Sequence, residues 1–230
     1  MTTRVNLNYL LICGKQLSSL IILLMTINNS DDLISTLVAN GYAIIDQALP
    51  NDEITKLRNE AISIKKIGLM RRAGTGKNPN PESLSLVRGD FTYWLDADNE
   101  TSYLHYMKNL RVLLNQTLFL GLFDFETHFS IYPVGAGYCK HLDQLQPNNN
   151  ESNSSGQRKI STILYLNENW QANDGGQLRL YLDSELGSSN YIDIEPVGGR
   201  MVVFLSNHFW HEVLPAKQER MSLTGWFRTR

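Results

Sequence analysis

The chain is short of cysteine, of net charge and of long apolar runs, and each shortage removes a class of protein. Two cysteines in 230 residues, Cys13 and Cys139, cannot build the disulfide framework on which small secreted domains depend, so a reducing, cytoplasmic setting is expected. The net charge of -2, from 21 basic and 23 acidic residues, gives no general attraction to nucleic-acid phosphates or to an anionic membrane, and neither is an expected partner. No apolar stretch reaches the roughly 20 residues that cross a bilayer. The nearest, Tyr9 to Ile27, is interrupted by Gly14-Lys15-Gln16 and by Ser18-Ser19. With 16 glycines and 7 prolines the chain is not collagenous or low-complexity, and 42% hydrophobic residues suit a folded core. The length fits one domain.

Arg4, the apolar run Leu20 to Leu24 and the lack of acidic residues before Asp31 loosely resemble a secretory leader, but no small-x-small cleavage site follows. We place residues 1–24 outside the fold, as an extension ahead of a start at Met25, and 25–230 in a single domain.

The apolar positions Leu33, Ile34, Leu37 and Val38 fall at helical spacing and stop at Asn40-Gly41. Tyr42 to Ile45 reads as a strand. Pro50-Asn51-Asp52 is expected to cap a second helix whose Ile54, Leu57, Ala61 and Ile64 make one apolar stripe, ending near Ile67. Residues 68–100 hold no sustained period and read as a long excursion with at most short strands. Helical spacing returns from Ser102 to Leu120 through Leu104, Met107, Leu110, Leu114 and Leu118.

After Phe123 the period changes to two, and β-rich runs are expected at 127–134, 159–167, 177–182, 190–195, 200–206, 211–214 and 220–228. Between the first two lies Gln144 to Gln157, rich in Asn and Ser, which reads as a loop. Helices first and strands afterwards imply an α+β domain whose second half, about 123–230, is a β-sandwich or jelly roll.

Two ligand-type side chains, His141 and Asp143, stand two apart, which on a strand puts both on one face. With five histidines and 23 acidic residues in 230, about half a chance match of this pattern is expected, so the pair alone carries little. A third candidate, His211, opens a later β-rich run. Two histidines and one carboxylate form the facial triad of non-heme Fe(II) oxygenases, with positions left open for cosubstrate and O2. Zinc is the second choice of metal, since its catalytic sites keep a single open position and no His-Glu-x-x-His helix is present.

The last run gives an independent clue. Arg220, Ser222, Thr224 and Trp226 share one face, and Met221, Leu223 and Phe227 the other. If helices cover the apolar face, the arginine lies inside and needs an anion, yet no acidic residue alternates onto its face. A small dicarboxylate held by the guanidinium fork, with Tyr165 in reach from the 159–167 run, fits that need. The competing reading pairs Arg220 with Glu195 or Glu219 at the surface.

With these residues in hand, the chain resembles the 2-oxoglutarate and Fe(II)-dependent dioxygenases, in the prolyl 4-hydroxylase-like branch that includes the hypoxia-sensing prolyl hydroxylases and their bacterial relatives. The resemblance runs from about Val87 to Arg230 through Tyr132-Pro133, the Gly-rich stretch to His141-Leu142-Asp143, Ile163-Leu164-Tyr165-Leu166-Asn167, Trp170, Gly175-Gly176-Gln177-Leu178, His211-Glu212-Val213 and Arg220 nine residues on. Val87-Arg88-Gly89-Asp90 and Trp94 resemble a further stretch, at the entrance.

The resemblance implies a double-stranded β-helix, or jelly roll, with N-terminal supporting helices. His141, Asp143 and His211 would bind Fe(II). Arg220 and Tyr165 would bind the far carboxylate of 2-oxoglutarate, in a pocket lined by Tyr132, Ile163, Leu178, Val213, Thr224 and Trp226. It implies hydroxylation with O2 as cosubstrate and release of succinate and CO2, with ascorbate among the family's cofactors. A prolyl residue of a protein or peptide is the expected substrate, and a catalytically silent metal-binding or oxygen-sensing module the alternative. His208 competes with His211 as a ligand, but three positions apart on a strand they face opposite sides, and only His211 has Arg220 at the family's spacing. His105 and Arg71-Arg72 read as surface groups, Cys139 as a packing residue, and His128 as a neighbour of the site.

Overall fold

A computed structural model describes residues 30–74, 87–96, 101–144, 156–183 and 189–230. The expected N-terminal extension, Lys77 and loop residues 145–155 lie outside them.

The chain opens with α1 (Ser30–Asn40), stopped at Gly41, whose φ of 77° a side chain would strain. Then come β1 (Tyr42–Ile45) and α2 (Asn51–Lys66). The stripe Ile54, Leu57, Ala61 and Ile64 is buried as its spacing predicts. Its start differs from the expected side-chain cap: Pro50 holds the N-cap position, and its carbonyl accepts from the amides of Glu53 and Ile54. Asp52 and Glu53 serve the positive helix end from the first turn.

The long excursion supplies two short strands, β2 (Arg71–Arg72) and β3 (Phe91–Trp94). In α3 (Ser102–Leu118), the Thr101 hydroxyl caps the amide of Leu104 at 3.2 Å. Its buried stripe is Tyr103, Tyr106, Met107, Leu110 and Leu114, one that takes in two tyrosines and leaves Leu104 and Leu118 at its margin.

Eight strands follow: β4 (Asp124–Tyr132), β5 (Tyr138–His141), β6 (Arg158–Tyr165), β7 (Leu178–Tyr181), β8 (Tyr191–Ile194), β9 (Met201–Leu205), β10 (His211–Val213) and β11 (Arg220–Arg228). Strand β5 is an addition to the expected set. It is only four residues long and follows a glycine-rich turn, so alternation has little length in which to register.

Two antiparallel sheets face each other, in the orders β1-β9-β6-β11-β4-β3-β2 and β5-β10-β7-β8. This is the jelly roll expected. The period of two sorts the central strands between two cores. Met221, Leu223 and Phe227 of β11, Ile160 and Leu164 of β6, and Met201 and Val203 of β9 pack with the helix stripes on the outer face of the larger sheet. Their alternates Ile163, Tyr165, Val202 and Phe204 meet Leu178, Leu180, Ile194 and Val213 between the sheets. Among the described residues no helix is long and apolar enough to cross a membrane.

Candidate active site

The interior end of the sandwich holds a cavity of about 340 Å³. Strand pairing places two histidines at its wall: His211 of β10 lies directly opposite His141 of β5, with ring centroids 4.2 Å apart. Asp143 arrives differently from the expectation. The strand ends at His141, and Asp143 sits in the bend beyond it, so the carboxylate is presented from the bend and not from the strand itself. Its Oδ1 is 3.7 Å from His141 Nε2 and its Oδ2 is 3.6 Å from His211 Nε2, and ligand atoms of all three lie within 4.8 Å of one another.

Neighbours fix these side chains for ligation. His141 Nδ1 lies 2.8 Å from the Cys139 carbonyl and His211 Nδ1 3.0 Å from that of Phe209. A carbonyl only accepts, so each neutral ring carries its proton on Nδ1 and turns the Nε2 lone pair toward the other two ligands. Tyr138 stacks on His141 at 3.6 Å, and the Ser161 hydroxyl donates to Asp143 Oδ2 at 2.6 Å, itself paired with Ser206 at 2.8 Å.

Burial, helped by the neighbouring His211, holds His141 down at about 3. At Asp143 burial opposes ionisation, but the two imidazoles and Ser161 outweigh it and keep the carboxyl below its usual range. Neutral imidazole beside ionised carboxylate is the protonation state a divalent cation takes.

Deeper in, Arg220 is 1% exposed. Its Nε donates to the Gly176 carbonyl at 2.9 Å, its guanidinium lies 5.2 Å from the Tyr132 ring and 5.0 Å from that of Tyr165, and Nη2 is buried without a partner. Tyr165 Oη is buried without a partner too. The surface pairing is not formed: Arg220 is buried and makes no ion pair with Glu195 or Glu219 among the described residues, Glu219 being bound to Lys65. Two buried donors side by side without a hydrogen-bond acceptor, one of them cationic, have the chemistry of a carboxylate site. Gly176 shapes it: at φ +70° its missing Cβ would meet Ala216 and Trp170 at 3.0 Å and Arg220 Cδ at 3.3 Å.

Tyr132, Ile163, Leu178, Val213, Thr224 and Trp226 all line the cavity with the triad and Arg220. Tyr165 reaches the same recess from the inner face of β6. At the mouth Arg88 forms a two-pronged pair with Asp90, at 2.6 and 3.1 Å, and Ser130 donates to the same carboxylate at 2.6 Å. Asp90 is fully buried, so its pair with Arg88 is internal framework.

His105, Arg71 and Arg72 are exposed, as read; His208 is exposed too and is not part of the His141-Asp143-His211 cluster. Cys139 is also exposed, which corrects its packing role. Sequence reasoning missed Ser161, Ser130, Tyr138 and Arg158 at the site. Ser161 was within reach, because it alternates with Ile163 and Tyr165 on one face of β6.

A family description, the 2OG-Fe(II) oxygenase superfamily, matches residues 127–228. Among solved structures the chain is similar to a prolyl-4-hydroxylase of Pseudomonas putida, at 40% identity and TM-score 0.73, over 87% of this chain and 99% of that one. It is also similar to a prolyl hydroxylase of Trichoplax adhaerens, solved in complex with a hypoxia inducible factor oxygen degradation domain peptide fragment. There the identity is 26% and the TM-score 0.69, over 87% of this chain and 89% of that one. A hypoxia-inducible factor prolyl hydroxylase of Caenorhabditis elegans is 28% identical over 212 residues, 86% of this chain and 28% of that protein, so the chain spans under a third of that relative's length.

Proposed function

The chain belongs to the 2OG-Fe(II) oxygenase superfamily, and on that premise we propose that it hydroxylates a prolyl residue of a protein or peptide in an Fe(II)- and 2-oxoglutarate-dependent reaction. One observation carries the reading: the His-Asp-His cluster and a buried Arg220 whose Nη2 has no partner among the described residues line a single cavity, with the Tyr165 ring 5.0 Å from that guanidinium. A silent metal-binding module needs the first and has no use for the second.

His141, Asp143 and His211 hold the iron, and the carbonyls of Cys139 and Phe209 and the Ser161 hydroxyl hold those ligands in place. Arg220 and Tyr165 take the far carboxylate of 2-oxoglutarate, while Tyr132, Ile163, Leu178, Val213, Thr224 and Trp226 wall its chain from water. When bound, iron and 2-oxoglutarate with O2 supply the oxidising power, yielding succinate and CO2 and one oxygen atom for the substrate. The protein's part is to dock the groups in fixed orientation and keep the recess dry.

At the mouth Trp94 and Tyr138 offer aromatic faces and Arg88 and Arg158 polar edges, a surface suited to an extended peptide with a proline ring against the aromatics. Ascorbate as reductant and a reducing cytoplasm complete the reading, the latter in keeping with only two cysteines in the sequence.

The test begins with anaerobic addition of Fe(II) and then 2-oxoglutarate to purified apoprotein, watching for the visible charge-transfer band of a chelated keto acid, with His211→Ala in parallel. Prolyl peptides are then supplied with O2 and read by mass spectrometry. A band lost in the variant and a peptide gaining one oxygen atom at proline are the expected results. A band with hydroxylation only on free amino acids or lipids rejects the prolyl substrate, and no band rejects the cofactor assignment.

A further inference from the structure

His128 has no part in the chemistry above, yet it lines the same cavity and is 1% exposed. It sits on β4 two residues before Ser130 and four before Tyr132, on the face that looks into the sandwich. Its Nδ1 is 3.1 Å from the carbonyl of Phe129. That carbonyl can only accept, so the neutral ring carries its proton on Nδ1. Nε2, on the opposite side of the ring from the strand, is left as a lone-pair acceptor and is buried with no donor.

The ring cannot swing to find one. Trp94 meets it edge-on at 4.8 Å and Trp226 lies at 5.5 Å. Burial first, and then the positive charge of Arg88, hold His128 near 4, so the acceptor form persists at neutral pH. An acceptor stripped of water and given nothing in return is costly to keep. Arg220 Nη2 and Tyr165 Oη show the same signature at the deep end, where a ligand answers it.

We infer that His128 Nε2 is the acceptor for a peptide N–H of the bound substrate, fixing the main chain at the outer end of the cavity. Proline has no N–H of its own, so the donor is the amide of a neighbouring residue. The class of ligand follows from the chemistry: a neutral donor suits this nitrogen, because Arg88 and Arg158, which bear on the ring, are already paired with Asp90 and Glu126 and leave no net negative charge to draw a cation. The inference rests on the peptide substrate proposed above.

Two variants and one spectrum test it. His128→Phe keeps a flat ring between the tryptophans and removes the acceptor; His128→Gln restores an acceptor oxygen. For His128→Phe, KM for a prolyl peptide rises about tenfold relative to KM for 2-oxoglutarate, as loss of one buried hydrogen bond dictates, and His128→Gln recovers part of it. Nitrogen NMR of histidine-labelled, metal-free protein, with the His128 signal assigned by its loss in the variant, shows Nδ1 protonated and Nε2 bare. A proton on Nε2 overturns the inference whatever the substrate. So does an unchanged ratio of the two KM values in a wild type that hydroxylates the peptide. A wild type that decarboxylates 2-oxoglutarate but hydroxylates no peptide overturns the prolyl reading itself, and this inference falls with it.

Discussion

Replacing Arg220 with methionine should separate ligand binding from folding, because the guanidinium is built for a partner the protein does not supply. The arginine is buried, and among the described residues its hydrogen bond runs from Nε to the Gly176 carbonyl, while Nη2 has none. Removing the side chain loses that charge-assisted bond, about 1.5–3 kcal/mol. It also relieves the cost of a buried, half-answered charge, which is several kcal/mol at first and is partly repaid by the Tyr132 and Tyr165 rings. The two nearly cancel, so apoprotein stability in urea should change by no more than about 2 kcal/mol. Truncating an ordinary large core residue would cost about 3–5.

The ligand response is the opposite. At 100 times its Kd, a ligand stabilises a protein by about 2.7 kcal/mol. For a domain of this size that is roughly 5–11 °C in Tm. Wild type with Mn(II) and 2-oxoglutarate should show that rise, and Arg220→Met should show only the part due to the metal. Scanning fluorimetry with metal alone, then metal with 2-oxoglutarate, reads both terms. The reasoning is refuted if the variant loses more than about 4 kcal/mol as apoprotein, which would make Arg220 a structural residue. It is equally refuted if 2-oxoglutarate raises both proteins by the same amount.

Three other outcomes follow from the same geometry. Ser161→Ala removes the donor to Asp143 Oδ2 and should weaken metal affinity by about 10- to 100-fold without moving the apoprotein Tm by more than a few degrees, as read by competition with a chromophoric chelator. Asp90→Asn leaves Arg88 buried against a neutral partner and should cost about 3–5 kcal/mol, much of it regained when both are made apolar. Arg88 and Ser130 outweigh burial and hold the Asp90 carboxyl below its usual range, so its contribution is present above the unfolded carboxylate pKa and lost as pH falls through the folded one. Acid titration of the variant should lack that loss. His128, held near 4 against an ordinary 6.5 by burial and then Arg88, takes up its proton more readily unfolded. Its share of stability is full above pH 6.5 and falls by about 3 kcal/mol down to pH 4, a slope that His128→Phe should remove in urea melts taken across that range.

The architecture was legible wherever a period ran long enough to read. Strand β11 shows this best: nine residues of strict alternation separated Met221, Leu223 and Phe227 from Arg220, Ser222, Thr224 and Trp226, and the two sets lie in different cores. The stripe of α2 was equally plain. Strand β5 was not, for four residues after a glycine-rich turn carry too little pattern, and α3 hid two of its core residues because tyrosine is scored as half polar.

By itself the sequence pointed to a β-sandwich or jelly roll, singled out His141, Asp143 and His211 as candidate ligands and exposed the demand of an inward arginine for an anion. Those follow from residue type, spacing and the cost of burying charge, all local or pairwise quantities. Only the tertiary structure decided how Asp143 reaches its partners, from a bend and not from the strand, that Cys139 faces outward, and that Ser161 braces the carboxylate. It alone decided that His128 stands in the cavity with a bare nitrogen. These depend on which strands become neighbours and how a loop closes across them, and no single stretch of chain encodes a distance between two sheets.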